Sequence, residues 1–338
     1  MSTLDTAAEP RTAAASPSRA LTRFLLRLHR PALTHWTIGV LVLAALLLYL
    51  GGPLTDDAAD AWKQYNSCGL MERCSYDQES ILLYKDLYAW TTHLLLAVPL
   101  LVAAWAGAAL TGRELEQGTA KLLWTQGVSP ARWLATKLAV PAVFVTAGTG
   151  LLVLLHRTAW NASEGRFDTA KPWYDTATFY ANGPVLVALA LLGLVVGALA
   201  GVALRRAFAG LGAGVLALLL MWGGLHLAMP RLWPAATRTG DLSGGVPGSG
   251  LTLSEGYVTS AGERGALLSD CGPNVYGKCA ADYDKLGATG FFHEFHPASH
   301  HWPLQLVAAA LLLAVAAALT LAAFRLLRRR TGTGRPAA

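Results

Sequence analysis

The stretch GPVLVALALLGLVVGALAGVALRRAFAGLGAGVLALLLMWGGLHLAM, Gly183–Met229, decides the class of this chain. Arg205 and Arg206 divide it into two apolar runs, Gly183–Leu204 and Phe208–Met229, neither of which holds an Asp, Glu or Lys. A bilayer core of about 30 Å takes roughly 20 helical residues to cross, so each run is read as a membrane span and the Arg pair as the turn between them. Four further blocks have this character: Thr34–Leu50, Ala89–Leu110, Trp133–Leu155 and Leu304–Phe324. None alternates with period two, which argues against a β-barrel. Each block has to satisfy its backbone internally as a helix, because hydrocarbon offers no hydrogen-bond partners. Composition agrees. Hydrophobic residues are 54% and charged residues 14% of the 338, against about 25% charge in a soluble domain. The expectation is an all-α polytopic membrane protein with six transmembrane helices. Pro99 and Pro141, inside the second and third blocks, are expected to kink them.

Orientation follows from the positive charge beside each block. With the N-terminus inside, the cytosolic side, counting Lys137, holds 16 of the 27 Lys and Arg but only 4 of the 21 Asp and Glu. Arg205 and Arg206, then Arg325, Arg328, Arg329 and Arg330, lie within a turn of a membrane end, where the rule carries most weight. Both termini are therefore expected in the cytosol, with outer loops at 51–88, 156–182 and 230–303 and a basic tail at 325–338. Residues 1–17, rich in Ala, Ser, Thr and Pro, have the composition of a disordered leader. From Ser18 to Arg30, Leu21, Phe24, Leu25 and Leu28 share one helical face while Arg19, Arg23 and Arg27 share another, and Pro31 follows. That pattern suits an amphipathic helix lying in the inner headgroup region. A cytosolic extension of the first spanning helix is the alternative. Heavy use of Ala, Gly and Arg suggests a bacterial chain in the cell membrane.

Cys68 and Cys74 fall in the first outer loop and Cys271 and Cys279 in the last. An oxidising exterior favours disulfides there. Local pairing is the simplest of three connectivities, and a zinc site made from the four thiols is the rival. Gly193, Gly197 and Gly201, then Gly210 and Gly214, recur at spacing four, which lets helix backbones approach closely. Packing within the chain is preferred to a dimer face.

The substantial cytosolic connection is Thr111–Arg132. Gly118 can end the helix that continues from the second block, and Thr119 can cap a short one, Ala120–Gln126. Gly127 breaks it. Ser129 then caps the third spanning helix, with Pro130 at its first position. So much start-and-stop chemistry in a short loop reads as a built contact surface, the alternative being an ordinary flanking loop.

Other fragments carry less. Gly272-Pro-Asn-Val-Tyr-Gly277-Lys278 has phosphate-loop spacing, but Cys279 replaces the magnesium-binding Ser or Thr and no strand leads into it. Leu242-Ser-Gly-Gly245 resembles the start of an ATPase signature, yet both fragments lie outside, where ATP is absent. His293, Glu294, His296, His300 and His301 cluster before the sixth block, but Pro297 divides them, so no metal site is assigned. No Asp, Glu or Arg lies inside a spanning block; Lys137 lies near the cytosol, and His93 and His226 lie near the outer ends. Intramembrane charges normally mark ion pathways, so an ion-coupled carrier is disfavoured and energy has to arrive from outside the bilayer.

The run Arg113-Glu-Leu-Glu116-Gln-Gly118-Thr119, then Leu122-Leu-Trp-Thr-Gln126-Gly-Val-Ser129-Pro-Ala-Arg132-Trp133 and Lys137, resembles a segment of type-2 ABC exporter permeases, particularly an actinobacterial group. The stretch His296-Pro-Ala-Ser299-His-His-Trp302-Pro-Leu-Gln305 is similar to that group's approach to its last helix, with His300 where the group commonly has Arg. The resemblance implies a permease that dimerises, as a homodimer, and pairs with separate ABC ATPase subunits. ATP and magnesium would then be bound by the partner, with no cofactor and no catalytic residue on this chain and no nucleic-acid partner. It also implies that Arg113, Glu114, Glu116, Gly118 and Thr119 shape the junction, and that Leu122, Leu123, Trp124 and Gln126 form the helix contacting the ATPase. Export of an unidentified hydrophobic or amphipathic substrate, rather than uptake, is likewise an implication of the resemblance. A non-transporting membrane sensor or assembly protein acting through its outer loops is the alternative.

Overall fold

The computed structural model describes residues 27, 29–68, 75–246, 248–269, 271 and 276–332. The expected leader lies outside the described residues. So does the amphipathic helix, apart from Arg27, His29 and Arg30.

Among the described residues, six helices are long and apolar enough to cross a membrane. They are α1 (Arg30–Asn66), α2 (Gln78–Glu116), α4 (Pro130–Ser163), α6 (Pro184–Leu204), α7 (Ala207–Ala228) and α9 (His301–Thr331). Two short helices join them, α3 (Thr119–Thr125) and α5 (Thr176–Ala181). The starts follow local chemistry. Asp77 accepts from the Ser80 backbone N–H at the head of α2, Asp175 accepts from Thr178 N–H at the head of α5, and Pro184 opens α6. Arg205 ends α6 in the left-handed conformation (φ 55°) and Arg206 is extended, so the Arg pair is indeed a tight turn between two spans.

α6 is apolar around its whole circumference and is accordingly the most buried span. α9, α7, α2 and α4 pack around it. The backbones meet at the glycines. A Cβ on Gly193 would stand 2.5 Å from Pro99 O, on Gly197 2.2 Å from Ala103 O and on Gly201 2.1 Å from Thr111 Oγ1. On α7, Gly210 faces Gly107 O at 2.6 Å and Gly214 faces Gly197 Cα at 2.9 Å by the same measure. All these neighbours belong to this chain, and they clamp α2, α6 and α7 together.

Several helices run beyond the apolar blocks. α1 continues past Leu50 through a widened π turn, Leu50–Leu54, that contains Pro53. Proline has no N–H to give and its ring pushes on the carbonyl one turn back, so an extra residue in the turn lets the helix go on. Its outer part, Thr55–Asn66, is amphipathic: Ala58, Ala59 and Ala61 are buried, and the exposed Asp56 pairs with Arg166 at 2.9 Å. A second π turn, Ala106–Gly112, interrupts α2 near α3. Pro99 and Pro141 remain inside unbroken helical stretches.

Between α7 and α9, the segment read as an outer loop holds a four-stranded antiparallel sheet of order β1-β4-β2-β3. Its strands are β1 (Ala236–Asp241), β2 (Leu251–Thr259), β3 (Arg264–Ala266) and β4 (Ala288–His296), with α8 (Tyr276–Lys285) between the last two. In the register, His293 of β4 lies between Arg238 and Glu255, and Phe291 lies between Gly240 and Tyr257. Tyr283 and Phe291 form the small core, and the Cys271–Cys279 disulfide ties α8 to the preceding loop. The bundle is helical throughout, and this sheet caps the end opposite α3.

Candidate coupling site at the α2–α4 connection

Gly118 sits in the left-handed conformation (φ 74°), which a side chain would strain, and this turns the chain out of α2 into α3. Thr119 is the first residue of α3. Its hydroxyl donates back to Glu114 O (3.2 Å) instead of capping the helix, which starts and ends one residue earlier than expected. Gly127 is also left-handed (φ 89°). Ser129 then caps α4 by accepting from Arg132 N–H (3.3 Å), with Pro130 at the first position.

The connection is anchored by two carboxylates. Glu114 accepts from the Lys137 ammonium and, through its other oxygen, from the Trp133 indole N–H at 3.1 Å. Trp133 and Lys137 are four apart on α4, so one face presents both donors. The Lys137 side chain is fully buried and also reaches His29 Nε2 at 3.0 Å. Burial first, and then the Lys137 charge, push the His29 pKa down to about 4 against the pull of Glu114. His29 is thus a neutral imidazole and serves Lys137 as acceptor. Its ring stands edge-on to Trp105 of α2. The second carboxylate, Glu116, accepts from Ala207 N–H at 2.8 Å, the first amide of α7. A negative charge at a helix N-terminus is favoured there. Thr111 donates to Ala198 O of α6 (3.2 Å), and Arg330 of α9 donates to Val202 O and Ala203 O (2.7 Å each). α2, α4, α6, α7, α9 and the segment before α1 thus share hydrogen-bonded contacts at this end.

The residues assigned to the contacting helix divide. Leu122 and Gln126 are exposed, Leu122 at 61%, while Leu123 and Trp124 are half-buried against the base of α4. Trp124 lies edge-on to Trp133, with centroids 5.9 Å apart. Arg113 is exposed. α3 therefore presents an apolar residue outward from a platform braced by Glu114 and Glu116. Sequence reading named both acids but missed Trp133, His29, Thr111, Arg330 and Gly107 as partners. Lys137 stands in the sequence reading for its depth and as the end of the resembling motif; its four-residue step from Trp133 is the signal that both share a face.

At the sheet end a second polar cluster is buried. Thr92 Oγ1 lies 2.8 Å from His156 Nε2, His156 Nδ1 lies 2.5 Å from Asn182 Oδ1, and Tyr88 OH lies 3.0 Å from Thr178 Oγ1. Arg157 donates to Asn182 O (3.1 Å) and lies 2.9 Å from His301 Nε2, and Gln305 bonds Phe179 O and Val185 N. Of the histidine cluster, His293 pairs with Thr252, Glu294 accepts from Ser254, and His296 sits between His300 and Pro230 O. Among the described residues no three His, Cys, Asp or Glu gather as a metal site. Cys271 and Cys279 are paired, which removes the four-thiol zinc alternative. Cys68 is disulfide-bonded, and Cys74, its expected partner, lies outside the described residues.

The sequence model of a family described as ABC-2 membrane transporter related matches residues 37–232, more than half of the chain. No curated protein and no solved structure matches.

Proposed function

The chain belongs to the ABC-2 membrane transporter related family, and from that premise we propose that it is the permease subunit of an exporter driven by a separate ABC ATPase. It is a multi-pass membrane protein with six spans among the described residues. One observation carries it. α3 shows Leu122 to solvent while Glu114 and Glu116 brace the same segment against α4 and α7. A push on α3 is thereby passed to several spans at once, as an engine outside the bilayer requires.

On this reading two copies of the chain pair in a bacterial cell membrane with both termini cytosolic. ATP and magnesium stay on the partner, and Arg113, Leu122 and Gln126 offer the contact. The cargo is hydrophobic or amphipathic, in keeping with the aliphatic spans. The sheet between α7 and α9 favours a second reading, a non-transporting sensor that binds a ligand there.

Tagged full-length chain from native membranes should bring down an ATPase, and Leu122→Arg should abolish that capture while leaving yield and melting unchanged. Capture of no ATPase by the wild type, together with ligand-dependent protection of the sheet, would move the assignment to the sensor.

A further inference from the structure

A groove of about 640 Å³ opens between α1, α2 and α4. It runs along α1 from Ala32 to Leu46, fourteen residue steps or about 21 Å of helix. Its volume lies within the roughly 300–1,000 Å³ of small-molecule sites. The walls are apolar: Val40, Leu43, Leu101, Val102, Phe144 and Leu152 are representative. The polar atoms on them are used locally. The Trp36 indole donates to Phe144 O (3.1 Å) and His35 Nδ1 lies 2.6 Å from Pro31 O.

The groove is a long apolar slot, and one extended alkyl chain can lie along its length of about 21 Å. Charge identifies its head. Arg30, three residues before the lining residue Leu33, and Arg27, six before it in sequence, are exposed and make no ion pair among the described residues. The nearby acids are spent, Glu114 on Lys137 and Glu116 on α7. The chain leading into α1 is therefore cationic just before the residues that line an apolar slot, the complement of a phosphate above an acyl chain. A narrow cleft lined by Leu33, Trp105, Pro141, His29 and Lys137 continues from the same end toward the braced ion pair.

We propose that this groove holds one acyl chain of an anionic phospholipid whose phosphate rests between Arg27 and Arg30. Assigning the lipid to the inner leaflet rests on the orientation proposed above; occupancy of the groove does not. The bound chain lies against α1, α2 and α4 near the Lys137 cluster, where it joins the membrane to the coupling segment.

The test reconstitutes full-length protein in phosphatidylcholine vesicles containing phosphatidylglycerol with a photoactivatable acyl chain in both leaflets. Adducts should concentrate on residues 32–46 and 141–152. A Cβ on Gly39 meets nothing within 4 Å, so Gly39→Phe, and Gly39→Leu as a milder filling, should be tolerated and should remove those adducts. Arg27→Gln and Arg30→Gln should each lower labelling by phosphatidylglycerol about fivefold and leave a phosphatidylcholine probe unaffected. Equal labelling of the exposed Leu216 and Leu220 face of α7, or adducts indifferent to Gly39→Phe, would overturn the proposal. So would efficient disulfide linking of two copies through Gly39→Cys, which would give the groove to a second protein chain. Because both leaflets carry the probe and no ATPase is present, none of these results depends on the exporter reading.

Discussion

At the α3 end the spans meet through charge: a buried ammonium on Glu114, a carboxylate on the first amide of α7, a guanidinium on the last carbonyls of α6. At the sheet end they meet mainly through neutral side chains, Thr92 with His156, His156 with Asn182 and Tyr88 with Thr178, Arg157 carrying the charge in that set. The two arrangements respond differently to displacement. A neutral network is worth about 1 kcal/mol per bond, and each bond is lost separately. A buried ion pair contributes little net stability when intact but costs about 3–5 kcal/mol when one partner goes, because the other charge is left dry. The α3 end is thus built so that Glu114 and Lys137 move together or not at all.

The sharpest way to break this comparison is Lys137→Met. It leaves Glu114 half-buried beside Trp133 with its cation gone, and should destabilise the α3 end by about 3–5 kcal/mol. Adding Glu114→Gln should restore most of the loss. Thermal unfolding of the purified protein, read as a double-mutant cycle, checks this. Equal and additive losses would put the two ends on the same footing. At the sheet end, His156→Leu strands Asn182 Oδ1, while the Thr92 hydroxyl keeps Tyr88 O as its acceptor, and should cost about 1–3 kcal/mol. Here Asn182→Leu should rescue part of the loss, since no charge is uncovered.

Between the two ends runs the glycine clamp. Gly197→Ala drives a methyl to 2.2 Å from Ala103 O and should cost about 1–3 kcal/mol by overpacking. Gly212→Ala, in open space on α7, should be neutral or slightly stabilising and serves as its control. A similar drop from both would mean that close approach of α2 and α6 is not what the spacing serves.

What was legible follows from the range of the forces. The six spans are set by local apolarity over twenty residues, and the turns at Gly118, Gly127, Ser129 and Arg205 by backbone preferences within four. The outward continuation of α1 was missed because Pro53 signals a stop, and only the structure shows the π turn that absorbs it. The sheet was missed because ATGFFHEFH does not alternate: β4 runs between β1 and β2 and buries residues on both faces. The partners of Glu114 were hidden for a different reason. Lys137 lies 23 residues away and His29 lies 108 from Lys137, so only the packed bundle brings them together.

The smallest expected effect is on pH, and it isolates the α3 end because it acts through His29. Its folded pKa of about 4 lies below the ordinary 6.5, chiefly because burial and the Lys137 charge disfavour a second cation. Above pH 6.5 the imidazole is neutral in both the folded and the unfolded chain and stability does not depend on it. As pH falls from 6.5 toward 4 the unfolded chain takes up a proton that the folded one refuses, so stability declines across that window. Solvent on the open side of the ring reduces the effect well below the full linkage value, to about 1 kcal/mol. His29→Gln retains an acceptor for Lys137 without the titration. It should melt like the wild type at pH 7.5 and lose less on moving to pH 5. An unchanged slope would mean that the imidazole has no part in holding Lys137, and that Glu114 and Trp133 alone fix the base of α4.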